Sequence, residues 1–118
     1  MAARATQRGV RQSARKMRLV LDTIRGKDVN QAYALLKFSK KRAARQIQKV
    51  LRSAVSNAEQ DALRANQAFD VDRLVVAYAV ANEGQTLHRF TAAALGRATP
   101  IHKRTSTVEI RVATKEAK

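Results

Sequence analysis

Two stretches of this chain alternate with a period of two, and what separates them constrains the fold more than any other feature. In the first, Leu74, Val76, Tyr78 and Val80 point one way while Val75, Ala77, Ala79 and Ala81 point the other. In the second, Val108, Ile110 and Val112 alternate with Thr107, Glu109 and Arg111, the pattern of a half-buried β-strand. Two such strands pair naturally as antiparallel neighbours. The roughly 25 residues between Ala81 and Ser106 hold too few large apolar side chains for another core element, and a structureless loop of that length is foreign to a compact domain. The economical solution is a hairpin that continues past the body. Symmetric pairing puts its tip at Ala92 to Gly96, and about ten residues per strand at ~3.3 Å each carry it ~30 Å outwards. Such an arm is marginally stable alone in water, so it implies a partner that holds it.

Ahead of the strands the apolar period is 3.6. Ser13 is placed to N-cap a helix, followed by Met17, Val20, Leu21 and Ile24 at i, i+3, i+4 and i+7, with Gly26 as the stop. The opposite face carries Arg15, Lys16, Arg18 and Arg25. A second helix starts near Asp28, an acid suited to a helix N-terminus, and buries Ala32, Leu35 and Leu36. A third runs from about Lys40 to Asn66, with Ala43, Ala44, Ile47, Val50, Leu51, Ala54, Val55 and Ala58 as its stripe. At 1.5 Å per residue it is ~39 Å long, more than a small core needs, so its basic half, Lys40 to Arg52, is expected to reach towards a partner. The fold class is therefore α+β: three helices packed on a small antiparallel sheet, with a long protruding β-hairpin at about residues 82–106. One domain spans residues 1–118. Residues 1–21 contain no acid and on composition match a mitochondrial transit peptide. However, the amphipathic pattern from Ser13 runs straight into the body, which favours a basic N-terminal arm, extended around Arg4 to Arg11.

Charge narrows the partner. Lys and Arg number 24 against 9 Asp and Glu, a formal net charge of +15 that opposes compaction and attracts polyanions, nucleic acid first and an anionic membrane second. Residues 1–52 hold 15 basic and 2 acidic residues, residues 53–87 hold 2 and 5, and residues 88–118 hold 7 and 2. Two basic surfaces thus flank a weakly acidic centre. With 45% hydrophobic residues the chain can fold. The absence of cysteine removes disulfide scaffolds and thiolate metal sites. No apolar run approaches the ~18 residues of a membrane span.

The run Ser13-Ala-Arg-Lys-Met-Arg-Leu-Val-Leu-Asp-Thr-Ile-Arg-Gly-Lys27, then Lys49-Val-Leu-Arg-Ser-Ala-Val-Ser-Asn-Ala-Glu59, Glu83-Gly84, Gly96-Arg97-Ala98 and Lys103-Arg104-Thr105-Ser106 closely resembles the large-subunit ribosomal protein twenty-two family of bacterial type. The similarity covers nearly the whole chain in order. It implies a globular domain bound to large-subunit ribosomal RNA on the solvent side, supporting its assembly, and a hairpin threaded inward to line the nascent-peptide exit tunnel. The implied partners are that RNA, neighbouring ribosomal proteins and the nascent polypeptide, with no membrane and no homo-oligomer. The implied location is cytoplasmic, in the ribosome. The chain departs from the family at the tip, Thr91-Ala-Ala-Ala-Leu-Gly-Arg-Ala98, which lacks the proline and one or two cations usual there. His88 stands where a lysine is common, and Thr107 where a histidine often follows.

On this reading Arg15, Lys16 and Arg18 neutralise phosphates, arginine as a bidentate fork and lysine as a point charge. Arg25, Lys27, Lys40, Lys41 and Lys49 are weaker candidates for the same role, and Ser13 shares the helix end. Arg4, Arg8 and Arg11 follow an RNA groove as an arm that orders on binding. Arg89, Arg97, Lys103 and Arg104 line the hairpin, with the Thr105 and Ser106 hydroxyls offered to phosphate or 2′-OH groups. The tunnel-facing tip comprises Phe90, Thr91, Ala92, Ala93, Ala94, Leu95 and Gly96. Tyr33, Phe38, Phe69 and Tyr78 sit at core-compatible positions. Phe90 either stacks on a base or packs across the hairpin.

No catalytic constellation, cofactor site or metal site is indicated. His88 and His102 face each other across the hairpin without a third ligand, Asp70 and Asp72 read as an acidic turn, and Ser13, Ser53 and Ser56 lack a histidine partner. The competing class is a DNA-architectural, histone-like protein with β-arms. Those arms carry an apolar wedge or proline at the tip, whereas here the tip is alanine-rich and Pro100 lies on the return strand. A membrane-active cationic peptide would need bulky apolar anchors on an exposed helix, and the third helix is alanine-rich and needed for the core.

Overall fold

The chain enters the fold as a strand rather than as a free arm. A computed structural model describes residues 2–92 and 94–114. In chain order these form β1 (Ala2–Val10), α1 (Ala14–Ile24), α2 (Val29–Phe38), α3 (Ala43–Arg64), a 3-10 turn (Val71–Arg73), β2 (Leu74–Glu83), β3 (Leu87–Ala92), a second turn (Ala94–Gly96), β4 (Ala98–Lys103) and β5 (Ser106–Thr114). The body is an α+β structure: an antiparallel sheet of order β1-β5-β2, with the three helices against one face. The pair β3-β4 makes a separate two-stranded hairpin. The expected arm around Arg4 to Arg11 is corrected accordingly, because β1 pairs with β5 from Ala2 opposite Ala113 to Val10 opposite Ser106. It buries Ala3 and Val10 in the core.

Ser13 caps α1, its Oγ accepting from the Lys16 amide at 3.4 Å, and Met17, Val20, Leu21 and Ile24 are buried. Gly26, with φ of +80°, turns the chain so that its amide donates to the Val76 carbonyl at 2.9 Å while the Val76 amide donates to Lys27 O at 2.9 Å. That loop covers part of the open edge of β2. Arginines cover the rest: Arg25 donates through Nε (3.1 Å) and Nη2 (2.6 Å) to Ala79 O, and Arg18 through Nε to Ala81 O at 3.0 Å. An edge strand left bare would be a template for mispairing. Here Arg18 of α1 and Arg25 at its C-terminal cap satisfy two of its carbonyls.

Two apolar expectations and one helix length are corrected. In α2 the buried residues are Val29, Ala32 and Leu36, whereas Leu35 is 43% and Phe38 80% exposed. In β2 the pairing shifts between Val76 (opposite Val112) and Tyr78 (opposite Arg111). The extra residue, Ala77, makes a bulge that reverses the pleat. Leu74, Val76, Ala79 and Ala81 therefore face the core, while Tyr78 lies on the outer sheet face with the Arg111 guanidinium 4.4 Å from its ring centre. Finally, α3 spans 22 residues rather than 27, so it is ~33 Å long. It closes in a Schellman motif on Asn66 (φ +57°), with Gln67 N donating to Ala62 O and Asn66 N to Leu63 O.

The hairpin leaves the body at Gly84, whose amide donates to Thr105 O at 2.9 Å. A Cβ there would lie 2.7 Å from Thr105 Oγ1 and 3.3 Å from its backbone, so only glycine lets the two chains close at this point. Beyond it β3 and β4 pair from Leu87 opposite Lys103 to Ala92 opposite Ala98. The turn falls within the residues expected for the tip. The whole is elongated, 67 × 27 × 20 Å.

Candidate nucleic-acid interface

Cations from α1, α3, β1 and the hairpin base converge on one face. A groove of 470 Å³ is lined by Val10 and Arg11 at the end of β1, Gln12, and the first turns of α3: Arg42, Arg45, Gln46, Gln48, Lys49 and Arg52. Arg42, Arg45, Lys49 and Arg52 stand three, four and three residues apart, which puts them on one side of a helix. A second concavity shares Arg11, Gln12 and Arg42 and continues through Ser13 and Lys16 to His102, Lys103 and Arg104. A third shares Ser13, His102 and Arg104 and adds Arg15, Thr86, His88 and Glu83. Nine cations thus form a continuous trough, and among the described residues Glu83 at its far end is the sole carboxylate lining it.

The ion pairs of the described residues lie elsewhere. They are Arg4–Glu109, Arg25–Asp22, Arg73–Asp70 and Arg111–Glu109. The trough cations therefore carry charge that the described residues do not pair, the condition under which a concave surface attracts a polyanion. Beside them, burial raises the Tyr33 phenol above its ordinary value, and the nearby Arg52 charge opposes that rise.

Of the residues singled out from sequence, Arg11, Ser13, Arg15, Lys16, Lys49, Lys103 and Arg104 come together here. Arg42, Arg45 and Arg52 were included only within the basic half Lys40 to Arg52 and not named individually, although their helical spacing was available to single them out. Several others stand apart. Arg4 is on the outer sheet face, 3.5 Å from Glu109, and Arg8 is exposed on β1 away from the trough lining. Arg18 and Arg25 are engaged with the β2 carbonyls. Lys27, Lys40 and Lys41 are exposed in loops that flank α2. On the hairpin Arg89 and Arg97 are exposed, Arg89 donating to its neighbour's carbonyl, His88 O, at 2.9 Å.

Two of the hydroxyls expected to meet RNA lie inside the fold. Ser106 is fully buried and its Oγ has no partner, while Thr105 is 9% exposed and its Oγ1 donates to Gln85 O at 2.6 Å. Both sit where the hairpin strands enter the sheet, and there they serve the junction. The Ser13 hydroxyl is likewise occupied as a cap. At the tip, Phe90 is 72% exposed opposite Pro100, which excludes tight packing across the hairpin. Thr91, Ala92, Ala94, Leu95 and Gly96 are exposed, and Ala93 lies outside the described residues. His88 and His102 do meet, Nδ1 to Nδ1 at 3.2 Å with edge-on rings. Among the described residues no group of three or more metal-ligating side chains is assembled.

An acid-poor trough beside a projecting hairpin is the kind of surface that suits a polyanion. Comparison makes the class specific. The chain belongs to the ribosomal protein L22p/L17e family, whose model matches residues 5–113. It is 49% identical over 118 residues to the large ribosomal subunit protein uL22 of Macrococcus caseolyticus, covering 100% of this chain and 91% of that protein. It is 48% identical over 117 residues to the protein of the same name from Pediococcus pentosaceus (98% and 93% covered). To that of Clostridium novyi it is 51% identical over 110 residues (93% and 95%). This is a family of ribosomal proteins, not of enzymes.

Proposed function

We propose that the chain is a structural constituent of the large subunit of the cytoplasmic ribosome, present as a single copy, that binds large-subunit ribosomal RNA and supports its assembly. Its relatives carry the name large ribosomal subunit protein. The observation that supports RNA binding most strongly is the trough, in which nine cations face outward with one carboxylate at its edge. Arg11, Arg15, Lys16, Arg42, Arg45, Lys49, Arg52, Lys103 and Arg104 are its phosphate ligands, with Lys27, Lys40 and Lys41 at the margin. The glutamines at positions 12, 46 and 48 supply neutral donors and acceptors suited to 2′-OH groups.

The hairpin extends this contact inward, Arg89 and Arg97 neutralising phosphates along it, and its tip lines the nascent-peptide tunnel beside neighbouring ribosomal proteins. Leu95 supports that reading. It is 94% exposed and held at φ +63°, a left-handed backbone that costs a non-glycine residue about 1–2 kcal/mol. An apolar side chain so displayed is explained by a wall it helps to build.

Replacing Arg45, Lys49 and Arg52 with alanine tests the RNA-binding reading, because alanine preserves the helix and the three side chains lie outside the core. The variant is expected to lose occupancy in large-subunit particles on sucrose gradients. Its affinity for large-subunit RNA should show a salt dependence shallower by about 2–3 in log–log slope. Wild-type occupancy with an unchanged slope, or wild-type protein that sediments with the nucleoid, would overturn the reading.

A further inference from the structure

Phe38, assigned on sequence to a core-compatible position, is the most exposed aromatic side chain among the described residues, at 80%. It ends α2 and starts the segment Phe38-Ser-Lys-Lys-Arg42. One turn earlier on the same side stands Leu35, 43% exposed. The surroundings are uniformly cationic. Lys37 places Nζ 5.8 Å from the ring centre, Lys40, Lys41 and Arg42 are exposed, and no acid occurs in the sequence between Asp28 and Glu59. Arg42 also lines two of the trough's concavities, and four residues of chain span at most ~14 Å. An RNA strand lying against Arg42 therefore passes within reach of the ring.

We propose that Phe38 is a stacking platform for an unpaired nucleobase of the RNA held in the trough, an inference that rests on the RNA-binding reading. The chemistry is that of a flat apolar face bordered by fixed positive charge. The ring takes the base, and Lys37, Lys40, Lys41 and Arg42 take the phosphates on either side of it. An apolar protein partner would have to desolvate four cations to reach the ring, whereas an RNA strand neutralises them as it binds. The site reads no sequence beyond stacking strength, since every base has a π-face.

The full chain contains no tryptophan, so F38W creates a single reporter at the platform. Titration with a twelve-nucleotide oligoadenylate is expected to quench its emission at least twofold, and an abasic ribose-phosphate strand of equal length and charge to leave it nearly unchanged at the same occupancy. F38A should bind oligoadenylate about tenfold more weakly while keeping its affinity for the abasic strand, and F38Y should restore binding. Each variant is checked by its thermal melt, which a side chain outside the core leaves unmoved. Equal quenching by the two strands, or equal loss of affinity for both in F38A, overturns the platform and leaves the trough intact. Failure of both strands to bind the wild-type chain overturns the RNA-binding reading itself. Quenching by a polyglutamate chain and not by oligoadenylate would assign the ring to an acidic protein partner and overturn the proposal.

Discussion

Arg25 shows how one side chain of a basic run can belong to the fold rather than to the ligand. Its guanidinium reaches Ala79 O through two nitrogens and Asp22 Oδ1 through the third at 2.6 Å, so all three nitrogens have partners within the body. Lysine carries the same charge but cannot reproduce a planar fork. Arg25→Lys is therefore expected to lower stability by about 1 kcal/mol, read as a reduced denaturant midpoint with unchanged slope, and to leave RNA affinity nearly unaltered. The opposite pattern, intact stability with weakened binding, would return Arg25 to the contact surface. Arg18 follows the same logic at Ala81 O. By contrast, Arg45, Lys49 and Arg52 form no ion pair among the described residues. What separates the two groups is the acceptor each guanidinium or ammonium meets, and a charge count does not contain that.

At the scale of elements the hairpin is the clearest case. Along Leu87–Ala92 and Ala98–Lys103 no residue reaches the core, so replacing residues 88–102 with a short Gly-Ser turn should leave one cooperative unfolding transition of similar midpoint. Loss of cooperativity would show that the body depends on its arm. The hairpin and its tip were legible because alternation stopped while the chain still had to return. The pairing of β2 with β5 was legible for the same reason. The strand β1 was not: Ala2, Ala3 and Ala5 offer small side chains with little strand preference, and only Ala3 and Val10 are buried. Nor was the Ala77 bulge, since an unbroken run of apolar residues gives no sign of where the pleat reverses. Phe38 and Leu35 matched the helical period but lie beyond the strip that α1 and α3 cover. The stripe of Arg42, Arg45, Lys49 and Arg52 was legible in spacing, yet it was hidden within a block charge of fifty residues.

For the whole molecule, the net charge of +15 resolves into three uses. Some cations close the β2 edge, some pair with carboxylates, and nine line a trough that runs from α3 across the start of α1 to the hairpin base, while others such as Arg8 and Lys27 are exposed apart from it. The anchoring patch and the hairpin cations, separate along the sequence, adjoin in space through Arg11, Arg42, Lys103 and Arg104. On the proposed reading the body grips folded RNA on one side, and the hairpin extends the molecule to 67 Å along its long axis. The surroundings then supply the order that an isolated hairpin lacks. A density map of large-subunit particles carrying this chain tests that account most directly. It predicts phosphates within charge-assisted hydrogen-bonding distance, about 2.7–2.9 Å, of the trough cations, with Leu95 on the wall of the nascent-peptide tunnel. A trough facing solvent, or a hairpin tip resting on the subunit's outer surface, would contradict it.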